Sequence, residues 1–409
     1  MSNTRNSKVG DNVLGLLAFI LLILPAAFQA VRFSTPWGST SWQITEWFIT
    51  YDGGFVRRGL LGAPLRFASE FLDVPPSLIA ISISVLAWIA MTVLFLRLNE
   101  GRIKLYIIFS PLLLGMPIFS NFLIGKDVFQ LLIFTASLLL LDTKISPYKI
   151  VIVNFLCCIA VLNHEAFLFF GLPIILITAS ILNENKVISW SVVLSFAPVI
   201  LTSALVLISK GDVQISSLIT AGWNDFFANN FPSYCCYSEN PSAIGAIGWT
   251  VTKGVSLSLS VLSDFVAGFI YVPLLWACTF CVAIFLVGNW GIPKDLRKGF
   301  FTILGIQCFF VAPLFLLGWD FGRWFFFIIM TAVIWILLFG NKLDNVVKGT
   351  SFKSLLFLKL MRLGRPRDIY FFIALFCLAI PRAVWTVKLY IISNPSGANL
   401  WAAFNLFFK

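Results

Sequence analysis

Runs of apolar residues alternate with short polar turns along nearly the whole chain. Eleven runs read as membrane spans, near 13–31, 77–96, 105–120, 128–141, 150–162, 166–182, 187–208, 265–288, 300–317, 325–340 and 369–390. Those at 128–141 and 150–162 are short against the ~20 residues of a full crossing, so they read as tilted, broken or buried in the bundle. Two segments between the runs are long and polar, 32–76 and 209–253. In the first, Gly59–Asp73 sets Leu60, Leu61, Pro64, Leu65, Ala68, Phe71 and Leu72 on one helical face. Arg66, Ser69, Glu70 and Asp73 fall on the other, the pattern of a helix lying in a membrane interface. The second carries Trp223, Asn224, Asp225, Cys235, Cys236, Asn240 and Pro241, which is turn chemistry without clear periodicity. The expected fold is an all-α polytopic membrane protein: one transmembrane domain over 1–409, about eleven helices, and an interfacial helix in the first outside loop.

Composition strengthens this reading. The 409 residues are 59% hydrophobic and only 11% charged, against roughly 25% charged in soluble domains. The 43 Phe and 14 Trp suit lipid-facing surfaces and interfacial belts. A net charge of +11 raises the question of nucleic acid. The positive residues sit in short loops between apolar runs, so nucleic acid is not an expected partner. Six of the eight cysteines lie inside apolar runs and act as small hydrophobes; only Cys235 and Cys236 sit in a polar setting. Val13–Val31 is too long for the apolar core of a cleaved leader and reads as a first span and anchor.

Basic residues orient the spans. With Arg5 and Lys8 cytoplasmic, eighteen of the 29 Lys and Arg residues fall on that same side, seven of them within 341–368. The expected setting is a bacterial inner membrane with the N-terminus cytoplasmic. Arg32, Arg57, Arg58, Arg66, Lys126 and Arg323 run against the bias, and all lie in or beside polar clusters on the outer side. Binding an anion is the leading reason for such exceptions.

Four clusters carry candidate chemistry. In Tyr51-Asp52-Gly53-Gly54-Phe55-Val56-Arg57-Arg58-Gly59, two guanidiniums offer planar forks of donors suited to a phosphate or diphosphate. Asp52 beside them would stay ionised and serve as a base on a sugar hydroxyl. Glu46 is a second acid in the same loop and competes for that role. Trp319, Asp320, Arg323 and Trp324 form the second cluster, with rings to stack on a sugar and a cation for phosphate. Asn163-His164-Glu165 holds the only histidine, its tautomer expected to be set by Glu165. Lys126 and Asp127 open a span. Arg382 lies in the outer half of the last span, where a charge faces the bundle interior or snorkels to the interface. Each cluster also has a plainer structural reading, as an ion pair or a helix end.

The arrangement resembles the C-type superfamily of integral membrane glycosyltransferases (GT-C). In that superfamily an outside loop with interfacial helices follows the first span and carries a catalytic acid, the place that Asp52 and Gly59–Asp73 occupy here. The resemblance implies a donor sugar on a polyprenyl phosphate, held by Arg57, Arg58 and Arg323. It also implies a glycan or lipid-linked acceptor deprotonated by Asp52, with inversion at the anomeric carbon. It implies no nucleotide, in keeping with the lack of a glycine-rich nucleotide loop. Some members use a divalent cation, for which this chain offers no clear ligand set. Alternatives are an O-antigen or capsule repeat-unit polymerase, a lipid-linked substrate transporter or flippase, and an acyltransferase with His164 as base.

Overall fold

The computed structural model describes all residues except 1, 37, 121, 143–145, 185–187, 210, 257–258, 260–280, 282–283, 319, 348–367 and 378–409. Most of the described residues are helical, and none of them lies in a strand. Backbone donors and acceptors are thereby satisfied within each segment, as a hydrocarbon solvent demands. The chain is an all-helical membrane protein. Among the described residues four helices are long and apolar enough to cross a bilayer, at Asp11–Ser34, Pro76–Asn99, Arg297–Leu317 and Gly322–Gly340. A fifth crossing would come from Ala197–Ile208 and Val213–Asn230 taken together, a pair bent by 98°.

In chain order the helices that matter here are α1 (Ser2–Ser34), α2 (Trp42–Thr45), α3 (Gly62–Leu72), α4 (Pro76–Asn99), α5 (Leu105–Ile108) and α6 (Met116–Phe119). They continue as α7 (Asp127–Leu141), α8 (Pro147–Asn163), α9 (Phe167–Phe170), α10 (Leu172–Glu184), α11 (Trp190–Ser195) and α12 (Ala197–Ile208). The last are α13 (Val213–Asn230), α14 (Ser242–Gly245), α15 (Arg297–Leu317), α16 (Phe321–Val347) and α17 (Asp368–Cys377). α16 is the central helix. It packs against α15, α7 and α4, and its residues from Arg323 to Leu337 are buried apart from half-buried Phe325. α1, α4, α8, α12 and α15 are outer helices. They present Leu16, Leu86, Phe155, Leu201 and Phe309 outward, each more than half exposed, which is the surface lipid solvates.

Several expected spans are broken. The 105–120 run is not one helix but two single turns, α5 and α6, with every residue from Tyr106 to Ser120 buried. A Cβ on Gly115 would stand 2.5 Å from the Phe109 carbonyl oxygen, so the chain folds back on itself there, and Pro117 opens α6. The run at 187–208 breaks between α11 and α12. The runs at 128–141, 150–162 and 166–182 form shorter apolar helices. Most of 265–288 and the far part of 369–390 lie outside the described residues.

Within the segment read as an interfacial helix, α3 forms over Gly62–Leu72. Leu65 and Ser69 face the protein, and Phe67, Phe71 and Leu72 are exposed. The segment 209–253, read as irregular, is corrected by α13. Asp212 caps that helix by accepting from the Ile215 N–H at 2.7 Å. α13 buries Ser216, Ile219, Thr220, Trp223, Phe226 and Phe227, a helical period concealed by its hydroxyl residues. Cys235 and Cys236, in the loop beyond, are paired with each other.

Candidate functional site: a buried ion network under a tryptophan-lined cavity

Alternating helix directions bring distant polar residues to one end of the bundle. α7 and α16 begin there, and α8 and α15 end there. Between α2 and α3 the chain crosses this end and inserts Glu46 and Arg58. Trp47 Nε1 and Ser84 Oγ both donate to the Ile124 carbonyl, at 2.7 and 3.0 Å, and Trp223 Nε1 donates to the Phe48 carbonyl at 2.5 Å. These bonds tie the crossing segment to α4, to the turn before α7 and to α13. Gly59 is required because a Cβ there would meet the Tyr51 ring at 2.3 Å. Arg58 sits at φ 65°, a left-handed conformation uncommon outside glycine and one that the surrounding ion pairs hold.

At the centre, Arg323 forks onto Asp127. Nε and Nη2 donate to the two carboxylate oxygens at 2.9 and 2.7 Å, while Nη1 donates to Asp320 Oδ2 at 3.0 Å. Glu46, 1% exposed, lies 3.8 Å from Arg323 and accepts from Arg58 at 3.2 Å. Arg58 also forks onto Glu165, with Nε donating to Oε2 at 2.8 Å. His164 Nδ1 accepts the Ala166 N–H at 3.1 Å, leaving Nε2 to donate to Glu46 Oε1 at 3.0 Å. Glu46, and not Glu165, therefore sets the tautomer. Lys126 is fully buried. It donates to the carbonyls of Arg58 (3.1 Å) and Asn163 (3.3 Å) and lies 5.8 Å from the Trp47 ring centroid.

Protonation follows from this packing. Burial would raise the Glu46 pKa, but Arg323, His164 and Arg58 outweigh it and hold the carboxyl ionised. Burial opposes ionisation of Glu165 as well, and Arg58 and His164 again win, so its pKa falls well below the ordinary value. Burial and then Arg58 lower His164, keeping it neutral at pH 7. Burial brings Lys126 down to about 8. Four cations (Arg57, Arg58, Lys126, Arg323) thus meet four carboxylates (Glu46, Asp127, Glu165, Asp320), a neutral set.

Above the network lies a cavity of about 230 Å³. Its polar wall is Arg57, Arg58, His164, Glu165 and Asp320, with Trp42, Trp249 and Trp324 around it. The remaining wall is mostly apolar and includes Leu207, Val251, Leu314 and Leu317. Leu207, Val251 and Leu317 are about half exposed, so this wall of the cavity continues into exposed apolar surface.

The structure sorts the expected site residues into distinct settings. Arg58 and Arg323 are occupied by carboxylates, so the anion that satisfies them is the protein's own. Arg57 differs from its neighbour. It is about one-third exposed, donates to the Ala246 carbonyl at 2.9 Å, and stands a looser 3.8 Å from Glu165. Asp52 is set apart: it pairs with Arg66 at 2.6 Å, against Gly222 of α13, and does not line the cavity. Tyr51 stacks on Phe55 and packs on Gly59. Asp320 has one oxygen bonded to Arg323 and the other, Oδ1, buried without a hydrogen-bond partner. Leaving such an acceptor unmet costs about 1–3 kcal/mol. Trp319 and Arg382 lie outside the described residues. Trp42 and Trp249, which pack on each other 6.1 Å apart, went unnoticed in the sequence, where tryptophans are too common to single out two.

Among the described residues no three His, Cys, Asp or Glu side chains converge in a geometry suited to a metal ion. No protein-family model, curated protein or solved structure matches the chain.

Proposed function

We propose that the chain is a membrane glycosyltransferase that takes a sugar from a polyprenyl-phosphate-linked donor and passes it to a hydroxyl of a glycan or lipid-linked acceptor. The observation that carries this reading is the cavity's two-sided character. One wall is charged and aromatic, and the other runs out to exposed apolar residues at Leu207, Val251 and Leu317. An amphiphile with a polar head and a long hydrocarbon tail matches both walls at once. Arg57 is placed to meet the phosphate, since its guanidinium is only partly used by the protein. Trp42, Trp249 and Trp324 offer faces for a sugar ring. At about 230 Å³ the cavity lies below the roughly 300–1,000 Å³ of sites for drug-sized ligands. That size favours a single sugar over a whole repeat unit, hence a transferase over a repeat-unit polymerase. The acyltransferase alternative loses its base, because the His164 lone pair is used by Ala166.

Native mass spectrometry of the purified protein with undecaprenyl phosphate, set against undecaprenol, tests the head-group claim. The expected result is retention of the phosphate form and weak retention of the alcohol. Equal retention of both would overturn it. Incubation with a panel of polyprenyl-phosphate-linked hexoses then tests transfer, and release of polyprenyl phosphate with none of them would contradict it.

A further inference from the structure

The cavity is small, about 230 Å³, and among the described residues three glycines line it: Gly211, Gly254 and Gly318. Packing accounts for the first. A Cβ on Gly211 would lie 2.0 Å from the Ile247 side chain and 2.8 Å from its carbonyl oxygen. At Gly254 a Cβ would already rest on the end of α15, 3.4 Å from the Leu317 carbonyl oxygen.

Gly318 has no such reason to be a glycine. Its φ of −160° and ψ of 152° are extended backbone that any residue adopts. Its N–H closes α15 by donating to the Leu314 carbonyl at 3.0 Å. Apart from its chain neighbours, the nearest described atoms to a Cβ there are Trp324 Cζ2 at 3.7 Å and the Leu314 carbonyl oxygen at 3.9 Å, both ordinary contacts. Trp324 and Leu314 line the cavity, as Gly318 does, and Gly318 is half-buried rather than sealed. A side chain at 318 would stand among residues that bound the cavity, so its volume would come out of the cavity. The position is also where the two walls meet along the chain. Leu314 and Leu317 of the apolar wall precede it, and Asp320 and Trp324 of the polar and aromatic wall follow.

We propose that Gly318 sets the size of head group that the cavity admits, leaving room for a sugar on the lipid phosphate, an inference that rests on the transferase reading above. The phosphate stays with Arg57, and the sugar takes space that a side chain at 318 would fill. Protein interiors are close-packed and yield little, so a volume change of even one methylene is felt. Position 318 thus separates the sugar-loaded donor from the bare lipid phosphate, two ligands alike in tail and phosphate.

The test compares wild type, Gly318→Ala, Gly318→Leu and Gly305→Leu as full-length proteins in lipid nanodiscs. Gly305, on α15, is exposed, and a Cβ there has no neighbour within 4 Å. Affinities are measured for undecaprenyl phosphate and for its glucose-, galactose- and mannose-linked forms, with thermal melts in parallel. For Gly318→Leu the inference expects a loss of roughly 10- to 100-fold for the sugar-loaded form that the wild type binds, the cost of overpacking. Undecaprenyl phosphate should stay within threefold of wild type. Gly318→Ala, whose methyl group fits, should show the same selectivity with a smaller loss and an unchanged melting temperature, which keeps the test intact if the leucine variant does not fold. Gly305→Leu should bind both ligands as the wild type does. Wild-type affinity of the Gly318 variants for the sugar-loaded form overturns the inference and leaves the transferase reading standing. So does an equal loss of both ligands in a Gly318 variant, or a selective loss in Gly305→Leu. A wild type that binds undecaprenyl phosphate no better than undecaprenol, or that binds none of the sugar-loaded forms, overturns the transferase reading itself.

Discussion

Replacing Arg323 with Gln removes the one cation that Asp127, Asp320 and Glu46 share. All three acids sit within 3.8 Å of that guanidinium, which is 3% exposed. The network is neutral in the wild type, so the substitution leaves one uncompensated negative charge in a site with little water. Breaking a buried pair by removing one partner costs about 3–5 kcal/mol. With an unfolding entropy of ~2.1 cal/mol/K per residue, a loss near 4 kcal/mol lowers the Tm of a chain this long by about 5 °C. The second substitution is more telling than the first. Asp127→Asn in the Arg323→Gln background removes the stranded charge, so the double variant should lie well above the sum of the two single losses. The expected coupling is at least ~1.5 kcal/mol, within the 0.5–3 kcal/mol range for residues in one network. Thermal unfolding of the four proteins in one detergent, followed by intrinsic fluorescence, reads this directly. An Arg323→Gln shift under 1 °C, or additive losses in the double variant, would refute the claim that the fork holds this end of the bundle.

Other outcomes follow from the same geometry. Arg57→Gln should weaken undecaprenyl phosphate binding by roughly 10- to 100-fold, the worth of charge-assisted hydrogen bonds. Because Arg57 is partly exposed and Arg58 already neutralises Glu165, its Tm should stay within about 1 °C of wild type. Trp42→Ala should raise the KM for the sugar donor by about 3- to 10-fold, the size expected for one aromatic contact, with kcat changed less. Gly59→Ala should destabilise by about 1–3 kcal/mol, since its methyl group has no room beside Tyr51. Lys126 gives a pH signature. Its folded pKa of about 8 is below the ordinary 10.5, so the folded state binds fewer protons than the unfolded state between those values. Its stability contribution therefore improves as pH rises from 8 to 10.5, and the wild type should gain on Lys126→Met across that window in parallel thermal melts. A constant difference would contradict the burial of a charged lysine there.

What the sequence made legible depends on how local each signal is. Alternating spans and charge bias sufficed to group Arg57, Arg58, Lys126, His164, Glu165 and Asp320, because helix direction alternates with every crossing. The structure gathers them at one end, with Arg102 and Lys104 at the other; Lys104 there pairs with Asp11 and Asp368 at 2.6 Å each. Partner choice was not legible. Arg57 and Arg58 are adjacent and look equivalent, yet one turns to the cavity and the Ala246 carbonyl and the other to Glu165 and Glu46. Asp52 looked like the acid of the pair, but Arg66, one helix later, claims it, and Glu46 takes the central place. α13 escaped notice because hydroxyl residues share its buried face with Ile219, Trp223 and the two phenylalanines. The folded-back 105–120 run was hidden because hydropathy records burial and not direction.

The most direct test of the central claim is a cryo-electron microscopy map of the protein in nanodiscs with undecaprenyl phosphate. The account predicts phosphate density within hydrogen-bond reach of Arg57 and a hydrocarbon tail leaving between Leu207 and Leu317. Phosphate density beside Asp52 and Arg66, or an empty cavity with the lipid bound elsewhere on the bundle, would contradict it.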